Sequence, residues 1–156
     1  MDILSSMWKE TANMEISSTW QNGKLVTKAN ALVNATPEKV ISSHMSEKSE
    51  NVLGVKYTWF NRKRNHVACS FKQKIGPMSF DMTFEKIIER YPWNTKVYYK
   101  TIDSIADMSG TWTITPMNGR TSLSLVQELN VPAALRWLPI KSVVEKKVEN
   151  AYKAYM

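Results

Sequence analysis

Four polar side chains fall where a strand pattern would turn them inward: Tyr57, Gln73, Tyr99 and Gln127. Each sits on the apolar phase of a stretch that alternates with a period of two. A buried phenol or amide needs a hydrogen-bond partner. In an ordinary core, backbone, water or another side chain supplies it. In a cavity, the same groups would orient a mostly apolar ligand, because such sites carry few polar groups among many apolar ones. Tyr57 and Tyr99 could also act as weak acids or bases on a bound molecule.

Stronger chemistry does not show in the residue pattern. His44 and His66 lie on separate predicted elements, and neither has a second ligand at metal spacing, so both read as structural or surface residues and no metal is expected. Cys69 alternates inward between Val67 and Phe71 and reads as a small core hydrophobe. As the one cysteine of the chain it excludes an internal disulfide and fits a reducing compartment. Asp81 and Glu85 share an outward face with nothing apolar around them to raise a pKa, so they do not read as an acid–base pair. No inward pair of charges, phosphate-cradling loop or nucleophile elbow is visible. No catalytic residue and no cofactor are assigned.

The elements that must position these residues are legible from turns and periodicity. Asn22-Gly23 predicts a two-residue hairpin between Met14–Gln21 and Lys24–Val33, with Trp20 opposite Leu25, Ile16 opposite Ala29 and Met14 opposite Ala31. Asn118-Gly119 predicts a second, with Ile114 opposite Leu123 and Trp112 opposite Leu125. Between them, Thr36 as N-cap and Pro37 as first helical residue predict a helix to about residue 45, with a second turn continuing to residue 50. A meander follows. Its inward phases carry Tyr57 and Trp59, then Cys69, Phe71 and Gln73, then Phe80, Met82 and Phe84, then Tyr99, then Trp112. The third of these strands reads as ending at Glu85. A two-residue loop before it would set Lys72 opposite Asp81 on the outer face.

Residues 139–156 form the one long segment of helical period. Ile140, Val144, Val148, Ala151 and Tyr155 share a face, widened by Val143, and Lys141, Glu145, Lys146, Glu149 and Lys153 take the other. A single amphipathic helix after a run of strands must bury its stripe on the sheet. No apolar run approaches the roughly 20 residues needed to span a bilayer. Residues 1–13 show no basic segment followed by an apolar one, so no signal peptide is expected.

The net charge is +7, from 21 basic and 14 acidic residues. Such a balance suits a solvated surface or attraction to anionic membranes or RNA. Arg62-Lys63-Arg64, in one predicted hairpin tip beside Trp59 and Phe60, concentrates that charge. Nine methionines and six tryptophans suit packing around an irregular shape.

Ala35-Thr36-Pro37-Glu38-Lys39-Val40 is similar to the strand-to-helix entry of the START-like (SRPBCC) superfamily, the polyketide cyclase/dehydrase and lipid-transport proteins. Gly110-Thr111-Trp112-Thr113-Ile114, then Gly119-Arg120-Thr121, then residues 129–132, is similar to that superfamily's last hairpin and exit. Over about residues 24–156 the order of elements resembles it too, nearest the coenzyme Q-binding cyclase/dehydrase group. The resemblance implies an α+β helix-grip fold: one domain over residues 1–156, a curved antiparallel sheet wrapped around the C-terminal helix, and a short helix pair after the first family strand. Residues 1–23 would be an extension that adds a strand.

It also implies a cavity between sheet and helix that takes a lipid, sterol, quinone or polyketide. The group has no shared catalytic motif, so none is carried over. The cavity set is then Tyr57, Trp59, Phe71, Gln73, Phe80, Met82, Tyr99, Trp112, Leu125 and Gln127, with Val144 and Val148 from the helix. Residues 131–138 would border the mouth, with Trp137 as gate. A volume of roughly 300–1,000 Å³ is expected. The leading expectation is a cytoplasmic carrier of a hydrophobic small molecule, working free or peripheral to an anionic membrane through Arg62, Lys63 and Arg64. The alternatives are a cyclase/dehydrase-type enzyme on an aromatic polyketide, or a protein-interaction module with RNA contact only through ribosomes. Oligomeric state is not legible.

Overall fold

The computed structural model describes residues 14–44, 56–61, 66–75, 77–102 and 106–156; the side chains of residues 56–61 and of Phe71 are outside that description. The strands are β1 (Met14–Gln21), β2 (Lys24–Val33), β3 (Lys56–Asn61), β4 (His66–Ile75), β5 (Met78–Arg90), β6 (Thr95–Thr101), β7 (Asp107–Met117) and β8 (Arg120–Asn130). Helix α1 (Pro37–His44) follows β2, a 3-10 turn spans Ala133–Leu135, and α2 (Ile140–Lys153) closes the chain. The sheet runs β1-β2-β8-β7-β6-β5-β4-β3, and every neighbouring pair is antiparallel.

Both Asn-Gly turns fold as expected. Asn22, Gly23, Asn118 and Gly119 all have positive φ, between 50° and 81°, the conformation a type I′ hairpin requires. The registers they set are Trp20 with Leu25 and Ile16 with Ala29 in one hairpin, and Ile114 with Leu123 and Trp112 with Leu125 in the other. Lys72 pairs with Asp81, Nζ to carboxylate 3.9 Å, both exposed.

Helix α1 is capped by Thr36, whose Oγ1 accepts from the Lys39 N–H at 3.3 Å. The expected continuation to residue 50 lies outside the described residues. Pro139 stands as the cap of α2, not its first residue, with φ −76° and ψ 60°.

Strand β5 is longer than expected. It continues through Lys86 and Ile88 to Arg90, because the apolar phase persists past Glu85 and pairs with β6. Between Tyr57 and Trp59 a bulge shifts the register, so Tyr57 pairs with Cys69 and Trp59 with Ala68.

Helix α2 lies over the sheet, touching β1 and β2, and α1 packs against β7. Its end is tied down. Tyr152 is fully buried and its hydroxyl donates to the Leu123 carbonyl at 2.8 Å. The Ala35 N–H donates to the Tyr155 carbonyl at 3.1 Å, and Thr121 Oγ1 donates to the Ala35 carbonyl at 2.8 Å.

Candidate functional site

The inner face of the sheet is mostly apolar; besides Gln73, Thr95 and Thr121 its buried polar residues form one continuous row. Reading straight across the strands, Val67, Lys86, Tyr99, Gly110, Gln127, Thr27 and Ser18 stand opposite one another in register. Because side chains alternate strictly, one register step fixes the face of every residue in the row. Ser18 and Thr27 satisfy each other, Oγ to Oγ1 at 2.9 Å, and are buried. Tyr99 donates its hydroxyl to Gln127 Oε1. Glycine is required between them: a Cβ on Gly110 would lie 2.5 Å from the Tyr99 hydroxyl and 2.9 Å from the Val126 carbonyl oxygen.

Lys86 ends the row. It is 3% exposed, and its Nζ donates to His44 Nδ1 at 3.1 Å. Burial, opposed by the nearby Cys69, brings the Lys86 ammonium down to about 8. Burial and the adjacent Lys86 charge hold the His44 imidazole well below its ordinary range, so it is neutral and accepts. Burial pushes the Cys69 thiol up to about 11 and raises the Tyr99 phenol above its usual value. His44 also tilts against Trp112, ring centroids 6.1 Å apart, and Trp112 against Tyr152 at 5.5 Å.

Above this row, between sheet and α2, lies a half-open cavity of about 160 Å³. Its floor is Gln73 and Ile75 of β4, Phe80, Met82, Phe84 and Lys86 of β5, Tyr99 of β6, Met108 and Trp112 of β7, and Leu125, Gln127 and Leu129 of β8. Its roof is Ile140, Val143, Val144, Lys147, Val148 and Ala151 of α2, and Val131, Leu135 and Leu138 close one side.

Of the residues the sequence singles out, Gln73, Phe80, Met82, Tyr99, Trp112, Leu125, Gln127, Val144 and Val148 line this space together. The side chains of Tyr57, Trp59 and Phe71, and the whole of Arg62, Lys63 and Arg64, lie outside the described residues. Trp137 is a correction. It is 67% exposed and not in the lining; Leu135 and Leu138 of the same segment point inward instead. The volume, about 160 Å³, is also below the expected range.

Two charged lining residues were not foreseen. Lys86 and Lys147 bring positive charge to the cavity, against the expectation that no charged pair faces inward. Lys147 is half-buried, and burial lowers its pKa. Extending the β5 alternation by two residues reaches Lys86. Adding three to Val144 on the helix reaches Lys147. The remaining acidic candidates stay outside: Glu85 pairs with His66 at 3.0 Å and Lys100 at 3.4 Å.

This architecture, an open antiparallel sheet gripping a C-terminal helix, recurs among solved structures. The STAR-related lipid transfer protein of Xanthomonas axonopodis superposes with a TM-score of 0.65 at 10% identity, over 92% of this chain and 96% of that one. The Zhui aromatase/cyclase of Streptomyces sp. R1128 gives 0.66 at 14% identity, over 85% and 91%. Human STARD10 gives 0.59 at 8% identity, over 99% and 79%. The chain has the START-like helix-grip fold. At these identities the likeness is one of fold. No protein-family model matches the sequence, and no curated protein does.

Proposed function

We propose that this START-like chain binds a hydrophobic small molecule, lipid-, quinone- or polyketide-like, in the cavity between its sheet and α2. The observation that carries the reading is the contrast of the lining: bulky apolar side chains on every wall, and a few fixed polar groups along one register row. A space left open between rings of this size forgoes contacts that a filled core would make. The printed names of similarly folded proteins, lipid transfer in one case and aromatase/cyclase in another, are consistent with this use of the fold. The cavity is smaller than a whole lipid, so a long ligand would extend through the open side or lift α2. The buried single cysteine fits a reducing compartment such as the cytoplasm.

Thermal shift against fatty acids, sterols, quinones and aromatic polyketides tests the reading. At a hundredfold excess over Kd, a true ligand adds about 2.7 kcal/mol. Val144→Trp fills the roof and should abolish the shift while the fold persists. Identical responses from wild type and Val144→Trp would place binding elsewhere.

A second reading, an enzyme acting on an aromatic polyketide, draws on Lys86 standing directly beside Tyr99 in the row. Product formation lost in Tyr99→Phe would support it, and turnover unaffected by both Tyr99→Phe and Lys86→Met would end it.

A further inference from the structure

Lys86 is placed to do more than line the cavity. It enters from β5 and is buried, with Nζ 3.1 Å from His44 Nδ1 and 5.8 Å from the ring centroid of Phe84, itself a lining residue. The bond to His44 fixes the nitrogen at the cavity wall. A neutral amine that donates an N–H to His44 keeps its lone pair for an electrophile, and a lysine desolvated in an apolar pocket is an activated nucleophile. Burial brings the Lys86 ammonium down to about 8, so near pH 8 about half of it is the neutral amine, against under roughly 1% for an ordinary lysine. Further contacts of the Lys86 side chain are compatible with this chemistry, which asks only for a populated amine and an electrophile in reach. Cys69 does not compete: it lies outside the lining, and burial pushes its thiol up to about 11.

Resting on the ligand reading above, we propose that the cavity captures apolar aldehydes and ketones as an imine of Lys86. The Nζ lone pair attacks the carbonyl carbon and the C–N bond forms. The C–O bond then breaks, and both amine hydrogens leave with the oxygen as one water, so no oxidant or reductant takes part. The apolar walls favour the product twice. They hold a hydrocarbon carbonyl beside the amine, and they exclude the water that would hydrolyse the imine. The apolar remainder would lie along Phe80, Met108, Leu129 and Val144, away from the row. Lys147, which lines the roof and is less buried, is the internal comparison.

The test adds decanal or 2-naphthaldehyde, near equimolar with the protein at about pH 8, in the presence of sodium cyanoborohydride, and maps the label by peptide mass spectrometry. Reduction fixes an imine as a secondary amine, so the labelled peptide gains the mass of the aldehyde less one oxygen. Lys86 should be labelled at least about tenfold more than the average of the other lysines, Lys147 included. Excess decan-1-ol, which fills the cavity without a carbonyl, should cut that label at least about fivefold, and so should Val144→Trp. Lys86→Met should abolish labelling in the cavity while keeping a thermal shift with decan-1-ol. Methionine keeps the length and apolar stem of lysine, and a cooperative melt confirms that each variant is folded; the decan-1-ol competition needs no variant. Label spread evenly over the lysines, concentrated on Lys147, or persisting on Lys86 despite excess decan-1-ol overturns the imine assignment, and a wild-type thermal shift with decan-1-ol then leaves the hydrophobic-ligand reading intact. If Lys86 takes no label and no apolar probe shifts the melt, both fall together.

Discussion

The seam between α2 and the sheet has two halves. Toward the helix C-terminus, Val148, Tyr152 and Tyr155 are buried against Ala31, Val33, Ile114, Leu123 and Leu125. Backbone and hydroxyl hydrogen bonds pin this half at Leu123 and Ala35. Toward the helix N-terminus, Ile140 and Leu138 are buried with Leu25, Leu129 and Val131, but around them Ile75, Phe80, Met108 and Val144 are only partly buried. The cavity opens among these last residues and reaches as far as Val148 and Leu125 of the anchored half. The same helix therefore anchors the fold at one end and roofs a void at the other. An open site is sustainable because the anchoring half supplies the stability that the open half forgoes.

That contrast predicts unequal responses to truncation. Tyr152→Ala removes a fully buried ring and a hydrogen bond from the anchored half, and should cost about 3–5 kcal/mol in urea denaturation. This is a large share of the roughly 5–15 kcal/mol a domain has.

The polar row separating the halves is the next target. The Lys86 pKa of about 8 lies below its ordinary 10.5, so between these values the unfolded chain holds a proton that the folded chain lacks. Stability therefore rises as pH climbs from 8 to 10.5, by up to about 3 kcal/mol from this group, and the benefit is lost as pH falls back through 8. Lys86→Met should flatten that segment of the pH–stability curve. His44, held neutral in the fold, has the same sign at lower pH: stability falls as pH drops below 6.5, where the unfolded imidazole takes up a proton. The Lys86 segment persisting in Lys86→Met would contradict its burial.

Gly110→Ala tests the row in a different way. The added methyl collides with the Tyr99 hydroxyl and the Val126 carbonyl, so a cost of about 1–3 kcal/mol is expected. The variant should also lose ligand response, because Tyr99 can no longer reach Gln127. Smallest is Val144→Ala in the open half, about 1 kcal/mol, with ligand affinity held or raised as the cavity enlarges. A Val144→Ala loss as large as that of Tyr152→Ala would erase the distinction between the halves.

How much of this the chain announces depends on what constrains each residue. The hairpin registers are legible because Asn-Gly dictates a turn geometry and the turn dictates the facing. Tyr99 and Gln127 follow from alternation, and so do Phe80, Met82 and Trp112. Lys86 is hidden by its type: a lysine after Glu85 reads as a polar strand end, although the apolar phase resumes at Ile88. Tyr152 lies four residues after Val148 and belongs to the helix stripe as much as Ala151, but its hydroxyl suggests exposure until Leu123 supplies a partner. Trp137, expected as a gate at the mouth, is 67% exposed and outside the lining, where Leu135 and Leu138 stand instead. The polar row itself spans six strands and is visible only once their order is known.

The central claim is that the cavity exists to be occupied, and native mass spectrometry of protein purified from its own host tests it most directly. Wild type should carry an added mass of one small apolar molecule, released on gentle activation, and Val144→Trp prepared identically should carry none. A wild-type spectrum of bare protein that also takes up no lipid, quinone or polyketide on titration, or a Val144→Trp variant that retains the same mass, would contradict the account.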